Sequence, residues 1–238
     1  MKGLTPSGLE HARKLLANCI LFRKLTPNER SALVARAHMR RFQAGDTIFL
    51  MGAQHDSMLA VLSGQVKISM TSSEGREIVL AILPPGEVFG EIAMLDGKPR
   101  SADAKALTDC NLAVLERRDV LAALEGNPAA WRGLIEVLCS RLRRTDQHLV
   151  EFALLGLPAR LAKALLRVID GEGGETRRAD GRSSRRLTQH EFANLVGATR
   201  ENVNKCLQEW RRVGIIRMEK RVISIADRDA LEALAAPE

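Results

Sequence analysis

Between Phe89 and Ala104 the chain reads FGEIAMLDGKPRSADA, and several side chains in it could do chemistry together. Glu91 follows Gly90 inside an apolar run, and Arg100 and Ser101 arrive after a Gly-Lys-Pro turn. An acid, a guanidinium and a hydroxyl on one short loop are the parts of a binding cradle rather than of a catalytic dyad. The arginine can pair with anionic oxygens as a fork, which a lysine cannot do. Ser101 adds a donor, Gly90 lets the backbone approach, and the helical turn starting near Glu91 presents free N–H groups to an anion. Glu91, when ionised, accepts hydrogen bonds from a hydroxyl. The competing structural reading is an Arg–Glu ion pair that holds the loop together without ligand.

The loop lies in a stretch that reads as β. From Arg41 to Glu116, short apolar or alternating runs (SMLAVLS, QVKISM, EIVLAIL) are separated by glycine-containing turns (AGD, SG, SEGR, PPGE, DGKP). That pattern predicts an antiparallel sandwich or jelly roll. Two short helical patterns precede it, at about 9–17 and 28–38. The period then changes. Asn127 is placed as a cap with Pro128 at the first helical position, and a helix is expected to run to about Leu155. Trp131, Leu138, Thr145 and Phe152 recur every seven residues, with Ile135, Leu142 and Leu149 offset by four. Such a seam predicts two helices side by side, hence a dimer; a helix packed on its own domain would carry a similar stripe. Thr145 is a polar member of the seam, and Asp146 follows it.

A third region begins near Gly156-Leu157-Pro158 with the helix ARLAKALLRVI, followed by a polar loop. In LTQHEFANLVGATRENVNKCLQEWRRVGII, Thr188 and Glu191 form a capping box, Gly197 supplies a turn, and Thr199 caps a second helix ending at Gly214. Two short helices about a tight turn spell helix-turn-helix. The alternating segment that follows predicts a two-stranded wing. Leu195, Val203 and Leu207 are assigned to its core. The region's charge agrees: from Arg177 to Arg221 there are twelve Lys/Arg against five Asp/Glu, within a chain of formal net charge +7. A polyanion is the implied partner. With no Tyr and only 3% aromatic residues, stacking on single strands is disfavoured, which leaves duplex DNA.

At 238 residues, 45% hydrophobic and 27% charged, the chain is globular and can bury a real core. No apolar run reaches the ~18 residues of a membrane span, and the start lacks the apolar stretch of a signal peptide. Cys19, Cys110, Cys139 and Cys206 are scattered without a CxxC pattern. That fits reduced thiols in a cytoplasm and argues against a zinc or iron–sulfur site.

The cradle segment FGEIAMLDGKPRSA is similar to the phosphate-binding cassette of cyclic-nucleotide domains. LTQHEFANLVGATRENVNKCL is similar to the DNA-reading motif of the CRP/FNR transcription regulators. Both occur in the family's order, joined by a seam helix. The resemblance implies an α+β fold: an N-terminal antiparallel β-roll of cyclic-nucleotide-binding type (1–126), a dimerisation helix (127–156) and a C-terminal winged helix-turn-helix (157–238). It implies a homodimeric cytoplasmic regulator, reading palindromic duplex DNA alongside RNA polymerase, with cyclic AMP or cyclic GMP as effector at the junction of roll and helix. No tightly bound cofactor, metal or catalytic residue is implied. The ligand set so implied is Gly90, Glu91, Ile92, Arg100, Ser101, Arg141, Thr145 and Asp146. Arg100 and Ser101 would take the phosphate, Glu91 the ribose 2′-hydroxyl, and Thr145 the base. Asp146 departs from the serine of the family's cyclic-AMP-binding member; its carboxylate could accept from the adenine amine or from guanine. The DNA set is Thr188, Gln189, Thr199, Arg200, Glu201 and Lys205. Arg200 is suited to guanine, Glu201 to cytosine or to the helix dipole, Lys205 to guanine or phosphate, and the other three to phosphate.

Two alternatives stand beside this reading. One is a regulator of the same family that answers to a different ligand or to none. The other is a jelly-roll enzyme of the cupin type, which would need an HxH-and-carboxylate metal cluster. The β region offers only His55, with His38 just before it.

Overall fold

The computed structural model describes residues 22–169, 189–219 and 222–236. The expected helix at 9–17, Cys19, the arginines of the 177–186 loop and Thr188 lie outside the described residues. The described chain forms two units, each compact by itself. Residues up to Ser69 together with Ala81–Arg144 make one; Met70–Leu80 and the residues from Thr145 onward make the other.

A helix α1 (Pro27–Arg36) precedes strands β1 (His38–Phe42), β2 (Thr47–Phe49), β3 (Met58–Ser63), β4 (Val66–Thr71), β5 (Glu77–Leu83) and β6 (Val88–Phe89). A short helix α2 (Glu91–Asp96), strands β7 (Asp103–Ala106) and β8 (Cys110–Leu115), and helix α3 (Arg117–Leu124) follow. The strands make two four-stranded sheets, ordered β1-β8-β3-β6 and β2-β7-β4-β5. Every strand pairing with a resolved register is antiparallel, as the turn spacing predicts. Sequence reading began the β region at Arg41, whereas β1 starts at His38 and Ala37 already ends α1 in extended geometry. HMRRF is an edge strand carrying charge outward, so it lacks the apolar alternation that marks the inner strands.

Strand β3 shows why the sheets need both faces covered. Its MLAVL run is buried throughout. Side chains alternate between faces, so Leu59 and Val61 meet Phe42, Val66, Leu83, Phe89 and Leu112 between the sheets. Met58, Ala60 and Leu62 face the other way, onto Leu33 and Val34 of α1, Val120 and Leu124 of α3, and the next helix.

That next helix is α4 (Pro128–Leu154). Asn127 caps it as expected: its Oδ1 accepts from Ala130 N at 3.0 Å. Ala130, Leu134 and Val137 bury one side of α4 in the first unit's core. The expected seam lies on other positions of the same helix. Trp131, Ile135, Leu142 and Leu149 are exposed, the last two by 62% and 68%. Among the described residues nothing covers this apolar stripe of α4.

The second unit holds α5 (Leu157–Ile169), α6 (Gln189–Val196), α7 (Arg200–Arg212), the hairpin β9 (Ile216–Glu219) and β10 (Val222–Ile225), and α8 (Arg228–Ala235). Leu161, Leu165, Phe192, Val203, Leu207, Ile216 and Leu231 are buried there. This is the winged helix-turn-helix read from the sequence. No described helix is long and apolar enough to cross a membrane.

Candidate functional site

The cradle is built at the step from β6 into α2. Gly90 has φ 77°, the left-handed region, and forms the N-cap of α2. A Cβ there would lie 2.3 Å from Arg100 Nη1 and 3.2 Å from the Ser57 carbonyl oxygen, so glycine is demanded by both conformation and space. Gly97, with φ 71°, closes the helix and turns the chain back toward Arg100.

Arg100 is 3% exposed. Its Nη1 donates to the Gly90 carbonyl at 2.9 Å and its Nη2 to Ser57 Oγ at 3.1 Å. The guanidinium carbon stands 4.3 Å from the centre of the Phe49 ring. Nε is buried with no hydrogen-bond partner among the described residues. Burial pulls the guanidinium below its ordinary pKa, while the negative charges of Asp56 and Glu91 push it back up. The result is a preorganised cation whose protein partners are two neutral oxygens and an aromatic face.

Glu91 is fully buried. The Arg–Glu pair in the cradle involves Arg141 of α4, not Arg100: Arg141 Nη1 donates to Glu91 Oε1 and its Nη2 to the Val88 carbonyl. The second carboxylate oxygen, Oε2, is buried without a hydrogen-bond partner among the described residues. Arg141, implied as a ligand contact, therefore holds the acid in place in this structure. The physical reason is that a buried carboxylate needs a counter-charge, and Arg100 is already spoken for by Gly90 and Ser57.

Gly90, Glu91, Arg100 and Arg141 are thus brought together. Ile92 and Ser101, their chain neighbours, are exposed. Thr145 and Asp146 are also exposed, one turn beyond Arg141 along α4. Sequence reading missed Phe49 and Ser57. Phe49 is one of only six phenylalanines in a chain without tyrosine, which was a usable signal; nothing local marked Ser57.

The second candidate site is the exposed face of α7. Gly197 (φ 60°) makes the turn after α6, and Thr199 Oγ1 caps α7 by accepting from Asn202 N at 3.3 Å. Val203, Leu207 and Trp210 point into the core, and Leu195 of α6 is half-buried. Arg200, Glu201 and Lys205 are left outward. Glu201 pairs with Lys205 at 3.0 Å, a solvated bond between side chains 77% and 71% exposed. Such a pair is worth only about 0–1 kcal/mol, so either member can exchange it for another partner. Gln189 is the first residue of α6. The wing pairs Ile216 with Ile225 and Glu219 with Val222.

Comparison with known proteins identifies both domains. Residues 39–127 match the model of the cyclic nucleotide-binding domain, and residues 159–234 match that of the Crp-like helix-turn-helix domain. The chain is 34% identical, over 222 residues, to the CRP-like cAMP-activated global transcriptional regulator of Mycobacterium tuberculosis; the match covers 92% of this chain and 97% of that one. A solved CRP/FNR-family transcriptional regulator of Thermus thermophilus is 30% identical, with a TM-score of 0.70 over 83% of this chain and 98% of that one. The c-di-GMP-responsive global regulator of Xanthomonas campestris shares the fold at 23% identity, with a TM-score of 0.73 over 84% and 99%. These relatives are regulators, not enzymes, and the matches run nearly their whole length. The chain belongs to the CRP/FNR family of transcriptional regulators.

Proposed function

We propose that this regulator is a homodimer whose affinity for palindromic duplex DNA is set by a cyclic nucleotide, cyclic AMP or cyclic GMP, bound in the Gly90–Ser101 cradle. One observation carries the reading: a buried acceptor, Glu91 Oε2, and a buried donor, Arg100 Nε, stand unsatisfied in the same small site. Leaving each unpaired costs about 1–3 kcal/mol. A cyclic nucleotide brings a hydroxyl donor and an anionic acceptor in one rigid molecule. Arg100 and Ser101 take its phosphate, Glu91 its 2′-hydroxyl, and Gly90 and Ile92 supply close backbone and apolar cover. The cyclic-AMP-activated name of the Mycobacterium tuberculosis relative supports cyclic AMP as the first candidate.

Arg141 keeps Glu91 oriented. Thr145, and Asp146 of either protomer, meet the base. The three regions 1–126, 127–156 and 157–238 divide the work of sensing, pairing and reading. The exposed stripe of α4 supports the dimer, because Trp131, Ile135, Leu142 and Leu149 would otherwise remain in water. Ligand then acts on the equilibrium between protomer arrangements through its differential affinity for them. On DNA, Arg200 forks onto guanine O6/N7, Glu201 accepts from cytosine N4 and Lys205 reaches guanine or phosphate. Thr188, Gln189 and Thr199 bind phosphate and set register. The protein works in the cytoplasm with RNA polymerase.

A second reading, a cradle that needs no ligand, draws on the hold of Arg141 on Glu91. Calorimetric titration of the purified protein with cyclic AMP, cyclic GMP and cyclic di-GMP separates the two. Saturable heat with a mononucleotide, together with tighter duplex binding in its presence, supports the effector reading. No heat with any of the three refutes it.

A further inference from the structure

Phe152 belongs by period to the stripe of Trp131 and Leu138, and the sequence assigned it to the seam between helices. Its ring is instead turned onto its own chain. A Cβ on Gly197 would lie 2.5 Å from Phe152 Cε1, 3.2 Å from Cζ and 3.5 Å from Cδ1. The ring therefore rests on the bare backbone of the helix-turn-helix turn. Arg160 of α5 places its guanidinium carbon 5.2 Å from the centre of the same ring, and its Nη1 donates to the Phe152 carbonyl at 3.3 Å. The preceding residue, Glu151, is gripped by Arg167 through two bonds of 2.7 and 3.0 Å, with Lys163 Nζ 3.9 Å away. Only Leu155 and Gly156 separate α4 from α5.

We propose that Phe152 is a positioning residue for DNA reading: wedged against Gly197 and covered by Arg160, it fixes the angle at which the turn and α7 leave the end of α4. A two-residue link would by itself leave that angle loose. The contacts around Phe152 and Glu151 convert it into a rigid joint. The geometry makes the angle matter. α7 has 13 residues. A tilt of about 10° over the resulting ~20 Å moves its far end by ~3.5 Å, one base-pair step. A protein reading two half-sites at once has to keep that error small, whereas one reading a single half-site does not. The inference rests on the two-headed, homodimeric reading above.

The test uses the full chain and a duplex selected by the parent from random sequences. Derived duplexes have one base pair added between the half-sites, or carry one half-site only. Binding is followed by fluorescence anisotropy. The parent is expected to lose about thirtyfold or more on the one-base-pair insertion. Phe152→Leu should bind the matched duplex about tenfold more weakly, lose less than about threefold on insertion, and bind the single half-site within about twofold of the parent. Arg160→Met should move the same way by less, and Phe152→Tyr should restore the parental pattern. Gly197→Ala should weaken the matched duplex more in the parent than in Phe152→Leu, where the ring it meets is gone. If Phe152→Leu keeps the parental spacing preference, the joint is overturned. Equal loss on half-site and palindrome also overturns it, since that is damage to the reading domain itself. A parent with no spacing preference overturns the two-headed reading, and this inference with it.

Discussion

Replacing Arg100 by Met separates what the cradle does for binding from what it does for stability. The substitution keeps an apolar stem of similar reach against Phe49 and removes the guanidinium. For binding, the proposed role of Arg100 makes the loss a forked, charge-assisted contact to phosphate, two bonds at about 1.5–3 kcal/mol each. That corresponds to a fall in cyclic-nucleotide affinity of roughly 10²- to 10⁴-fold. For stability the terms oppose each other. The Gly90 carbonyl and Ser57 Oγ lose their donors. Against that, a cation that burial disfavours, as the lowered pKa of Arg100 records, no longer has to be desolvated. Replacing buried charge by a packed apolar group is often neutral or stabilising, so the net change without nucleotide should stay within about 2 kcal/mol. For a chain of this length that is a shift in Tm of at most about 4–8 °C, in either direction. Calorimetric titration with cyclic AMP reads the first quantity and a thermal scan without nucleotide the second. Binding within tenfold of the parent, or a nucleotide-free protein that no longer melts cooperatively, would refute the reasoning: the arginine would then be structural.

Three further outcomes follow from the same geometry. Leu142→Asp puts a charge into the uncovered stripe of α4 without touching the chain's own core, so sedimentation should give folded monomers where the parent gives dimers. Arg200→Ala should relax preference at one base pair by ~1–3 kcal/mol in selected duplexes while leaving nucleotide binding unchanged, and an unaltered motif would count against α7 as the reader. Glu29 sits in a capping box, where bonds from the Thr26 backbone and hydroxyl, and from Asn127, hold its carboxyl below the usual range. A depressed carboxylate stabilises above its unfolded pKa and loses that contribution as pH falls through the folded value. Between pH 5 and 2, Glu29→Gln should therefore show a shallower loss of Tm than the parent; parallel curves would dismiss the cap as a source of acid sensitivity.

What the sequence disclosed was local. Strands β3 to β5, the Asn127 cap, the Gly197 turn and the wing all follow from spacings of a few residues, where turn chemistry and period decide. The cradle loop was legible for the same reason: Gly90, Glu91 and Arg100 lie within eleven consecutive positions. What stayed hidden were partnerships set by tertiary closure. Arg141 meets Glu91 across fifty residues, and Ser57 meets Arg100 across forty-three, so no local pattern announces them. Phe152 shows a different limit. A seven-residue period assigns a side chain to a stripe, but does not say whether a second helix or a glycine in its own chain will cover it.

The two sites meet solvent in opposite ways. Glu91 and Arg100 are sealed from water, whereas Arg200, Glu201 and Lys205 stand in it. Mobile ions reach the second set and not the first. Contacts between exposed cations and phosphates release counterions and weaken steeply as salt rises, while charges paired in a dry cradle are screened far less. Ionic strength is thus a lever on one of the two sites alone. If the cradle holds a nucleotide as proposed, raising ionic strength should strip the protein from DNA while leaving the cradle loaded, so binding at the cradle can be measured under conditions in which reading is switched off.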